Sequence, residues 1–297
     1  MTLVVGATGV LGLEICRQLR ARGRPTRALV RSGSPKEPLL KEVGAEVVYG
    51  DLKDTSTLES ACTGASAVIT TANAILSRRS GDTLESVDRD GSLALIRAAT
   101  GAGVEQFIYT SVSPRLPASN PIVRYKREVE QALRGSGMKW TVLQPAAYME
   151  IHTGPAMGWD LQGGRARVIG SGRAPMCYIA IADVAAFAVA AIDNPTAFNR
   201  NLHITGPEPL TGLEAVRIAE RVTGRTFKVQ KVPLAVLRIV RAVLQPFNPI
   251  VASLLAMGVA GEEGEGSDIE PLLREFGVAP TTFEHYVRLQ TAGRPSV

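Results

Sequence analysis

Leu3-Val4-Val5-Gly6-Ala7-Thr8-Gly9-Val10-Leu11-Gly12 opens the chain with an apolar run that leads directly into three glycines. The run has the composition of a buried strand, and the residues from Glu14 to Leu19 follow the spacing of an amphipathic helix. In such a strand–turn–helix, the glycines permit a tight turn, the approach of a ligand to the backbone, and close packing of helix on strand. N–H groups at the helix start then attract phosphate. The stretch predicts a dinucleotide site, with a plain glycine turn as the alternative.

Strands and helices alternate after this stretch up to residue 145. Apolar runs predict strands at 26–30, 46–50, 66–71, 106–111 and 140–145, and helical spacing fills 36–43, 55–62, 83–102 and 122–134. This alternation predicts an α/β fold with a doubly wound parallel sheet of the Rossmann type. We therefore expect an NAD(P)-binding domain over 1–145 and a small C-terminal α+β substrate-binding region over 146–297, intertwined with the sheet.

Arg31 stands at the end of the second predicted strand, where a chain that prefers NAD would carry Asp or Glu for the ribose hydroxyl. A guanidinium suits the 2′-phosphate of NADP instead, although a surface arginine is the alternative. We expect NADP(H) to be preferred over NAD(H). Asp51 follows the third strand and would either accept a hydrogen bond from the adenine or cap the next helix.

Composition limits the remaining function classes. The net charge of +5 comes from residues 1–40, which hold seven basic and two acidic side chains, so no broad basic surface for nucleic acid is expected. Three scattered cysteines and no recognisable signal peptide predict a reducing, cytoplasmic setting. The three histidines are isolated in sequence, which predicts no metal site.

Two stretches beyond residue 145 are candidates for contacts with other molecules. Residues 146–177 combine glycines with Tyr148, Met149, His152 and Trp159, which predicts a substrate pocket wall or an ordinary hydrophobic patch. Residues 232–259 are strongly apolar but hold two arginines and three prolines, which argues against a transmembrane segment. They are expected to form two helices that cover the substrate or contact a partner, either a second copy or another protein.

Several motifs together resemble one known family. They are the glycine stretch 4–12, Arg31, Tyr49-Gly50-Asp51-Leu52, Val87-Asp88 with Gly91, Phe107-Ile108-Tyr109-Thr110-Ser111, and Gln144-Pro145 with Tyr148-Met149-Glu150. The pattern resembles the NmrA-like atypical short-chain dehydrogenases/reductases. That family includes isoflavone reductase-like, quinone and triphenylmethane reductases, NADP-sensing co-regulators and photosystem II assembly factors.

The resemblance implies which residues hold the cofactor, group by group. The pyrophosphate would lie on Gly6, Ala7, Thr8, Gly9, Val10, Leu11 and Gly12, and Arg31 would hold the 2′-phosphate. Asp51 and Leu52 would border the adenine. Near the ribose would lie Thr71, Ala72 and Asn73, and the nicotinamide would be flanked by Thr110, Ser111 and Pro145.

The catalytic motif departs from that of most short-chain dehydrogenases. Those enzymes use Tyr-x-x-x-Lys, and Lys126 fits the lysine position, but the residue four before it is Ile122. Tyr125 is adjacent to Lys126 and would point about 100° away on a helix. Lys126 and Tyr125 are the catalytic candidates, and reductases of this family manage with the lysine alone.

These residues give two functional hypotheses. The first is an NADPH-dependent reductase that transfers hydride to a carbonyl, quinone or conjugated C=C of a small, moderately apolar substrate. Its substrate would lie against Tyr148, Met149, His152 and Trp159. The second is a non-catalytic NADP(H) sensor or protein-complex assembly factor, which the missing tyrosine and the apolar 232–259 segment favour.

Overall fold

The computed structural model describes residues 1–75, 77, 79–266 and 268–292. The elements up to residue 145 are β1 (Thr2–Val5), α1 (Val10–Ala21), β2 (Thr26–Val30), α2 (Glu37–Glu42), β3 (Glu46–Tyr49), α3 (Thr55–Cys62), β4 (Ala67–Thr70), a π-helix (Leu84–Gly91), α4 (Ser92–Gly101), β5 (Gln106–Thr110), α5 (Pro121–Arg134) and β6 (Lys139–Pro145). The predicted strands and helices of this part are present, each within one or two residues of its expected ends, apart from the helix at 83–102.

The central sheet has seven strands in the order β3-β2-β1-β4-β5-β6-β9, in which β9 is Arg200–Ile204. The pairs from β3 to β6 whose register is known are parallel. Every residue of β1, β4 and β5 is buried, as expected for parallel strands covered by helices on both faces. The predicted doubly wound α/β fold is confirmed.

The strand order reverses between β1 and β4, which are neighbours in the sheet although two strands separate them in sequence. In open α/β sheets, such a switch point leaves a crevice outside the carboxyl ends of the strands, where ligands bind. Here the glycine turn follows β1 and Thr71 follows β4, and Thr71 N donates to Val5 O at 2.9 Å. The fold therefore places the glycine stretch at the expected ligand edge.

The helix predicted at 83–102 is in fact two helices of different type. It begins as a π-helix, Leu84–Gly91, which Thr83 and Ser86 cap reciprocally, and it continues as α4. The π-helix buries Leu84, Val87, Asp88 and Gly91. Sequence spacing did not distinguish the two forms because the same apolar positions serve both.

The remaining elements begin at residue 149. They are α6 (Met149–His152), β7 (Arg165–Ile169), β8 (Pro175–Met176), α7 (Ile181–Ala190), β9, β10 (Leu210–Thr211), α8 (Gly212–Thr223), β11 (Lys228–Val232), α9 (Leu234–Leu244), α10 (Pro249–Ala260), α11 (Glu270–Phe276) and α12 (Phe283–Thr291), with short 3₁₀ turns at Pro155–Met157, Pro195–Ala197 and Gly261–Glu263. Two small sheets join β10 with β8, and β11 with β7.

The chain forms two compact units. The first comprises Met1–Val112, Pro121–Gln144 and Val184–Leu202, and the second comprises Ser113–Asn120, Pro145–Asp183 and the chain from His203 onward. The sequence predicts one boundary after residue 145, close to the end of the second of these segments. The segment 184–202, which holds most of α7, belongs to the first unit.

The second unit has its own hydrophobic core and contains strands that the sequence analysis did not predict. Its core includes Met149, Trp159, Phe227 and Phe283. The strands β7 and β11 were not expected, because their sequences are short, basic and partly exposed. The region 269–292 contains two helices, α11 and α12, since Gly277, at φ +62, ends α11.

The segment 232–259 forms the two helices that its prolines predict, α9 and α10, which pack on each other. Asn248 caps α10 by accepting from Val251 N at 3.1 Å. The outward face of α9 and the following turn carry exposed apolar side chains, namely Val236, Ile239, Val240, Val243 and Phe247, and we call this set the apolar stripe. Within the described residues, no helix has both the length and the apolar character needed to cross a bilayer.

Candidate functional site

Two of the three glycines after β1, Gly6 and Gly12, occupy positions that leave no room for a side chain. Gly6 has φ +83, and a Cβ there would lie 2.8 Å from Ala72 N. A Cβ on Gly12 would lie 2.2 Å from Gly6 O, so only glycine lets α1 pack this close to the turn. Gly9 N donates to Gly6 O at 2.9 Å, which closes the turn. Steric limits therefore require glycine at the first and last positions of the motif, Gly6 and Gly12.

The first turn of α1 is open to an anion. Its N-cap is Gly9, and no described side chain caps it or places an acid in its first turn. Gly9 and Val10 are exposed, Thr8 and Leu11 are partly exposed, and Ala7 is buried under the turn. The unpaired N–H groups and the positive end of the helix dipole therefore face solvent where a pyrophosphate would bind.

The residues expected near the ribose lie beside this turn at the end of β4. Thr71 Oγ1 donates to Gly6 O at 3.4 Å, and Ala72 follows it against the glycine turn. Asn73 is exposed, with its side chain donating to Thr71 O and accepting from Ile75 N. The structure thus brings the predicted pyrophosphate and ribose residues together in the first unit.

Arg31 lies in a cluster of charges at the ends of β2 and β3. Its Nη1 contacts Asp82 Oδ2 at 2.5 Å, and Lys53 Nζ contacts Asp82 Oδ1 at 2.6 Å. Ser77 Oγ also donates to Asp82. Burial raises the pKa of Asp82, but the hydrogen bonds from Lys53, Ser77 and Arg31 outweigh it and lower that pKa to about 2. We call Arg31, Lys53, Ser77 and Asp82 the Asp82 cluster.

Asp51 and Leu52 follow β3 in a turn that leads to Lys53. Asp51 Oδ1 accepts from Lys53 N at 3.0 Å, so the Asp51 side chain shapes this turn. The cap of α3 is Asp54, which accepts from Ser56 N. Of the two roles that the sequence left open for Asp51, the capping role belongs to Asp54. Leu52 is buried beneath the turn.

Lys126 is buried at the end of β5. Only 4% of the residue is exposed, and its Nζ donates to Thr110 O at 3.1 Å. The Asp88 carboxylate lies 3.8 Å from Nζ, and the Tyr109 ring centroid lies 4.9 Å away. Asp88 also accepts from Ala74 N at 2.8 Å, which fixes the carboxylate between β4 and the lysine.

The charges around Lys126 shift several pKa values. Burial raises the pKa of Asp88, and the Lys126 charge and the Ala74 N–H oppose that shift. Burial lowers the pKa of Lys126, and the charges of Asp88 and Glu130 oppose it. The pKa of Tyr109 is raised well above its usual value, first by burial and then by Asp88 and Glu130. An ammonium group with a lowered pKa gives up a proton more readily than an exposed lysine does.

Three buried polar atoms in the first unit lack a hydrogen-bond partner among the described residues: Asp88 Oδ1, the Tyr109 hydroxyl and Thr110 Oγ1. They belong to the residues that surround Lys126. Buried polar atoms are rarely left unpaired, and such atoms in a native fold are commonly satisfied by a water or a ligand. The arrangement fits a site that is completed by a bound molecule.

Ser111 has a structural environment. Its Oγ donates to Glu130 Oε1 at 2.6 Å, and Glu130 is itself buried. Arg127 and Arg134 contact the same carboxylate, and Gln144 Nε2 donates to it at 3.2 Å. This network ties β5, α5 and β6 together and leaves the Ser111 hydroxyl occupied.

Tyr125 does not lie next to the Lys126 ammonium. Its ring is stacked between the guanidinium groups of Arg89 and Arg124, at 5.2 and 5.0 Å from the ring centroid. The two residues face different sides of α5, as the 100° step between neighbours in a helix requires. Of the two predicted catalytic residues, the structure brings only Lys126 to the end of β5.

The predicted substrate residues belong to the second unit, as does Pro145. Met149 and Trp159 are buried in the core of that unit. His152 is partly buried, its Nδ1 lies 3.1 Å from Tyr148 O, and burial lowers its pKa. Tyr148 is also partly exposed. Tyr148 and His152 are thus the two of these four side chains that reach the surface of their unit.

The polar cluster around Glu265 differs from the arrangement that a nucleophilic serine needs. In the second unit, His203 Nε2 and Ser113 Oγ both contact Glu265 Oε1, so the imidazole is paired with the acid and not with the hydroxyl. A serine nucleophile requires its base beside the hydroxyl. Over 1–75, 77, 79–266 and 268–292, no group of three or more His, Cys, Asp and Glu residues could hold a metal ion.

The sequence analysis gave no role in the site to five residues of these clusters, Asp88, Tyr109, Lys53, Ser77 and Asp82, although Asp88 and Tyr109 stand in two of the motifs it quoted. Asp88 was readable, because it occupies a core-facing position between Leu84 and Gly91 where an apolar residue is expected. Tyr109, Lys53 and Asp82 carried no such signal. Asp82 meets Arg31 across 51 residues of sequence, and only the folded chain brings them together.

The sequence matches the NmrA-like family over residues 1–287, nearly the whole chain. The chain belongs to this family. Photosystem II assembly factor Ycf39 from Synechocystis sp. is 31% identical and aligns with 96% of this chain and 89% of its own length. A (4-alkanoyl-5-oxo-2,5-dihydrofuran-3-yl)methyl phosphate reductase from Streptomyces griseus is 30% identical and aligns with 94% of both chains.

Solved structures of the family share the fold. The NADPH-dependent quinone oxidoreductase QOR2 from Escherichia coli, solved with NADPH, superposes with a TM-score of 0.77. It is 23% identical and covers 98% of this chain and 99% of its own. The predicted family and fold are therefore confirmed. The relatives include reductases and an assembly factor, so family membership alone does not select between the two functional hypotheses.

Proposed function

We propose that this protein is an NADPH-dependent reductase that acts on a carbonyl, quinone or conjugated C=C of a small, moderately apolar substrate. The observation that carries the proposal is the buried Lys126 ammonium at the end of β5, held by Thr110 O and Asp88. Burying a lysine costs desolvation free energy, which its partners offset only in part. Ionisable groups with shifted pKa values concentrate at functional sites.

NADP(H) fits the residues of the first unit. The open N-terminus of α1 and the glycine turn would hold the pyrophosphate, since a Cβ on Gly6 or Gly12 would intrude on the turn itself. Arg31 would hold the 2′-phosphate. Thr71, Ala72 and Asn73 would border the ribose, and Thr110 with its unpartnered Oγ1 would lie toward the nicotinamide. When bound, NADPH supplies the hydride.

Lys126 has two tasks in this proposal. Its Nζ has hydrogens beyond the one given to Thr110 O, and these would bind ribose hydroxyls and hold positive charge near the substrate oxygen. The acceptor gains the hydride from NADPH and a proton at its developing anion, and Nζ, with its lowered pKa, would support delivery of that proton. Asp88 keeps Nζ in place and opposes the loss of its charge.

The substrate would contact Tyr148 and His152, which reach the surface of the second unit. Met149 and Trp159 would support this surface without contacting the substrate, because their side chains pack in the core of the second unit. A neutral imidazole, favoured by the lowered pKa of His152, suits an uncharged, moderately apolar substrate.

The test is NADPH oxidation by the purified protein against a panel of quinones, enones and aldehydes, with wild type compared with Lys126→Ala. We expect turnover with at least one acceptor and a loss of about 100-fold or more in Lys126→Ala. Lys41→Ala, on the exposed face of α2, is the matched control and should keep full activity. Equal rates for wild type and Lys126→Ala would contradict the proposed mechanism.

A second function, a non-catalytic NADP(H)-binding platform, is favoured by the apolar stripe. Ile239, Val243 and Phe247 are 64%, 61% and 82% exposed, which is unusual for such side chains unless a second copy or another protein covers them. Tight NADPH binding without turnover on any acceptor would support this function. An Ile239→Glu variant that changes the sedimentation coefficient of the protein would then identify the stripe as the contact between copies.

A further inference from the structure

The carboxylate of Asp82 lies behind the two cations that contact it. The Asp82 side chain is 1% exposed, whereas those of Arg31 and Lys53 are 37% and 33% exposed. The two cations therefore cover the carboxylate and present the rest of their surface to solvent. Ser77 Oγ supplies a further donor to the same buried carboxylate.

Counting contacts with the described residues, both cations have donors left over for a second anion. A guanidinium carries five N–H groups and an ammonium three, and only Nη1 of Arg31 and one contact of Lys53 Nζ are used by Asp82. The three charges sum to one net positive charge. A phosphate dianion that arrives from solvent would thus meet two cations already held side by side.

The location of the pair is the place where a dinucleotide presents its adenosine ribose. Arg31 follows β2 and Lys53 follows β3, and these strands are paired in parallel with Val30 opposite Tyr49. Both cations therefore lie at the carboxyl edge, beside the strand end that reads the ribose 2′ position in such folds. Arg79 Nη2 donates to Ser32 O and ties the loop after β2 to the segment that carries Asp82.

We propose that Lys53 forms, together with Arg31, a two-cation site for the 2′-phosphate, and that Asp82 is the positioning residue that holds both cations for it. This inference rests on the proposed use of NADP(H) and adds a residue that decides between phosphate and hydroxyl. A ribose 2′-hydroxyl gains little from a second cation, whereas a phosphate dianion gains a charge-assisted hydrogen bond. Lys53 thus acts on selectivity and not on binding in general.

The test uses two probes without nicotinamide, so it does not depend on turnover. Adenosine 2′,5′-bisphosphate and adenosine 5′-monophosphate are titrated by calorimetry into wild type, Lys53→Met, Lys53→Arg and Lys41→Met. We expect Lys53→Met to weaken binding of the bisphosphate about tenfold and to leave the monophosphate unchanged. Lys53→Arg should restore most of the difference, and Lys41→Met should match wild type.

The role of Asp82 has a test whose sign separates two explanations. Asp82→Asn removes a negative charge, so an electrostatic effect alone would tighten binding of the bisphosphate. Loss of positioning would weaken binding of the bisphosphate. We therefore expect the affinity for the bisphosphate relative to that for the monophosphate to fall severalfold in Asp82→Asn. Tighter binding by Asp82→Asn would overturn the positioning role.

The outcomes also separate this inference from the proposed function. If wild type prefers the bisphosphate and Lys53→Met keeps that preference, the role of Lys53 is overturned while the use of NADP(H) stands. If wild type binds neither probe, the proposed cofactor itself is wrong. Lys53 is one-third exposed, and the melting temperatures of all variants are measured to check that the compared proteins are folded.

Discussion

Two aspartates of the first unit, Asp82 and Asp88, both lie beside cations and are buried to nearly the same extent, but their pKa values are shifted in opposite directions. Asp82 and Asp88 have side chains that are 1% and 0% exposed. The pKa of Asp82 is lowered to about 2, whereas that of Asp88 is raised. Depth of burial alone therefore does not decide how a carboxylate behaves in this protein.

The difference lies in how the two carboxylates are satisfied. Asp82 accepts from Arg31, Lys53 and Ser77, and all of these favour its charged form. Asp88 has one oxygen on Ala74 N and the other unpartnered, 3.8 Å from a lysine that is itself buried. We call Asp82 the completed site, because three donors stabilise its charged form, and Asp88 the incomplete site, because burial with a single hydrogen bond disfavours its charged form.

The largest expected effect is on the incomplete site. Asp88→Ala leaves the Lys126 ammonium buried without its nearest carboxylate, and we expect the free energy of unfolding to fall by about 3 kcal/mol. Asp88→Asn should cost less, because the amide oxygen can still accept from Ala74 N. Urea unfolding measures both. Asp90→Ala, an exposed position on the same helix, is the control, and an equal loss there would refute the explanation.

Lowering the pH should remove the contribution of the completed site, Asp82, to the free energy of unfolding. Because its folded pKa is lowered, Asp82 contributes stability that is present above its unfolded pKa near 4 and is lost as the pH falls toward about 2. The contribution amounts to about 2 kcal/mol, from a shift of nearly two pKa units. Comparing unfolding of wild type and Asp82→Asn from pH 7 to pH 2 should show a gap that closes over this window. A gap independent of pH would contradict the assignment.

Salt should change the stabilising contributions of Asp82 and Asp88 to different extents, and this effect is smaller than that of pH. Between 0.1 and 1 M NaCl the screening length falls from about 10 to about 3 Å, which weakens charges that face solvent. We expect the cost of Asp82→Asn to shrink by about 1 kcal/mol, because Arg31 and Lys53 are partly exposed, and the cost of Asp88→Asn to stay constant. If both costs responded equally, the contrast in exposure would have no energetic meaning.

The smallest effect concerns the unpaired hydroxyl beside Lys126. Thr110→Val removes Oγ1, which has no partner among the described residues, and should change the free energy of unfolding by less than about 0.5 kcal/mol. Thr141→Val is the matched control, since its buried Oγ1 donates to Ala197 O at 2.8 Å and should cost about 1 kcal/mol. A Thr110→Val variant that keeps its stability but binds NADPH more weakly would place Oγ1 at the cofactor.

The sequence was sufficient for the parts of the fold that repeat a simple pattern. Buried parallel strands are continuous apolar runs, so β1, β2 and β4 were predictable to within one residue at each end. The strand β11, Lys-Val-Gln-Lys-Val, is exposed at most positions and has too little apolar character to stand out. Its pairing with β7 joins segments 63 residues apart, and local periodicity contains no information about such a contact.

The candidate site divides in the same way. The sequence named the glycine turn and Arg31 by their positions after strand ends, and it named Lys126 by the resemblance to the Tyr-x-x-x-Lys motif. Asp82 was missed because its partners lie on other loops, and Met149 and Trp159 were indistinguishable from pocket residues because a core and a pocket wall use the same side chains. Which surface an apolar residue faces is a tertiary property.

The π-helix before α4 has a consequence for how this chain could diverge. Successive residues of an α-helix are rotated by about 100° about the helix axis. Deleting one residue after Asp88 would therefore rotate the preceding segment by about that angle relative to α4. Asp88 would leave Lys126, although no side chain had been replaced. A single-residue insertion or deletion in this segment would therefore separate the acid from the lysine as effectively as a substitution of Asp88 itself.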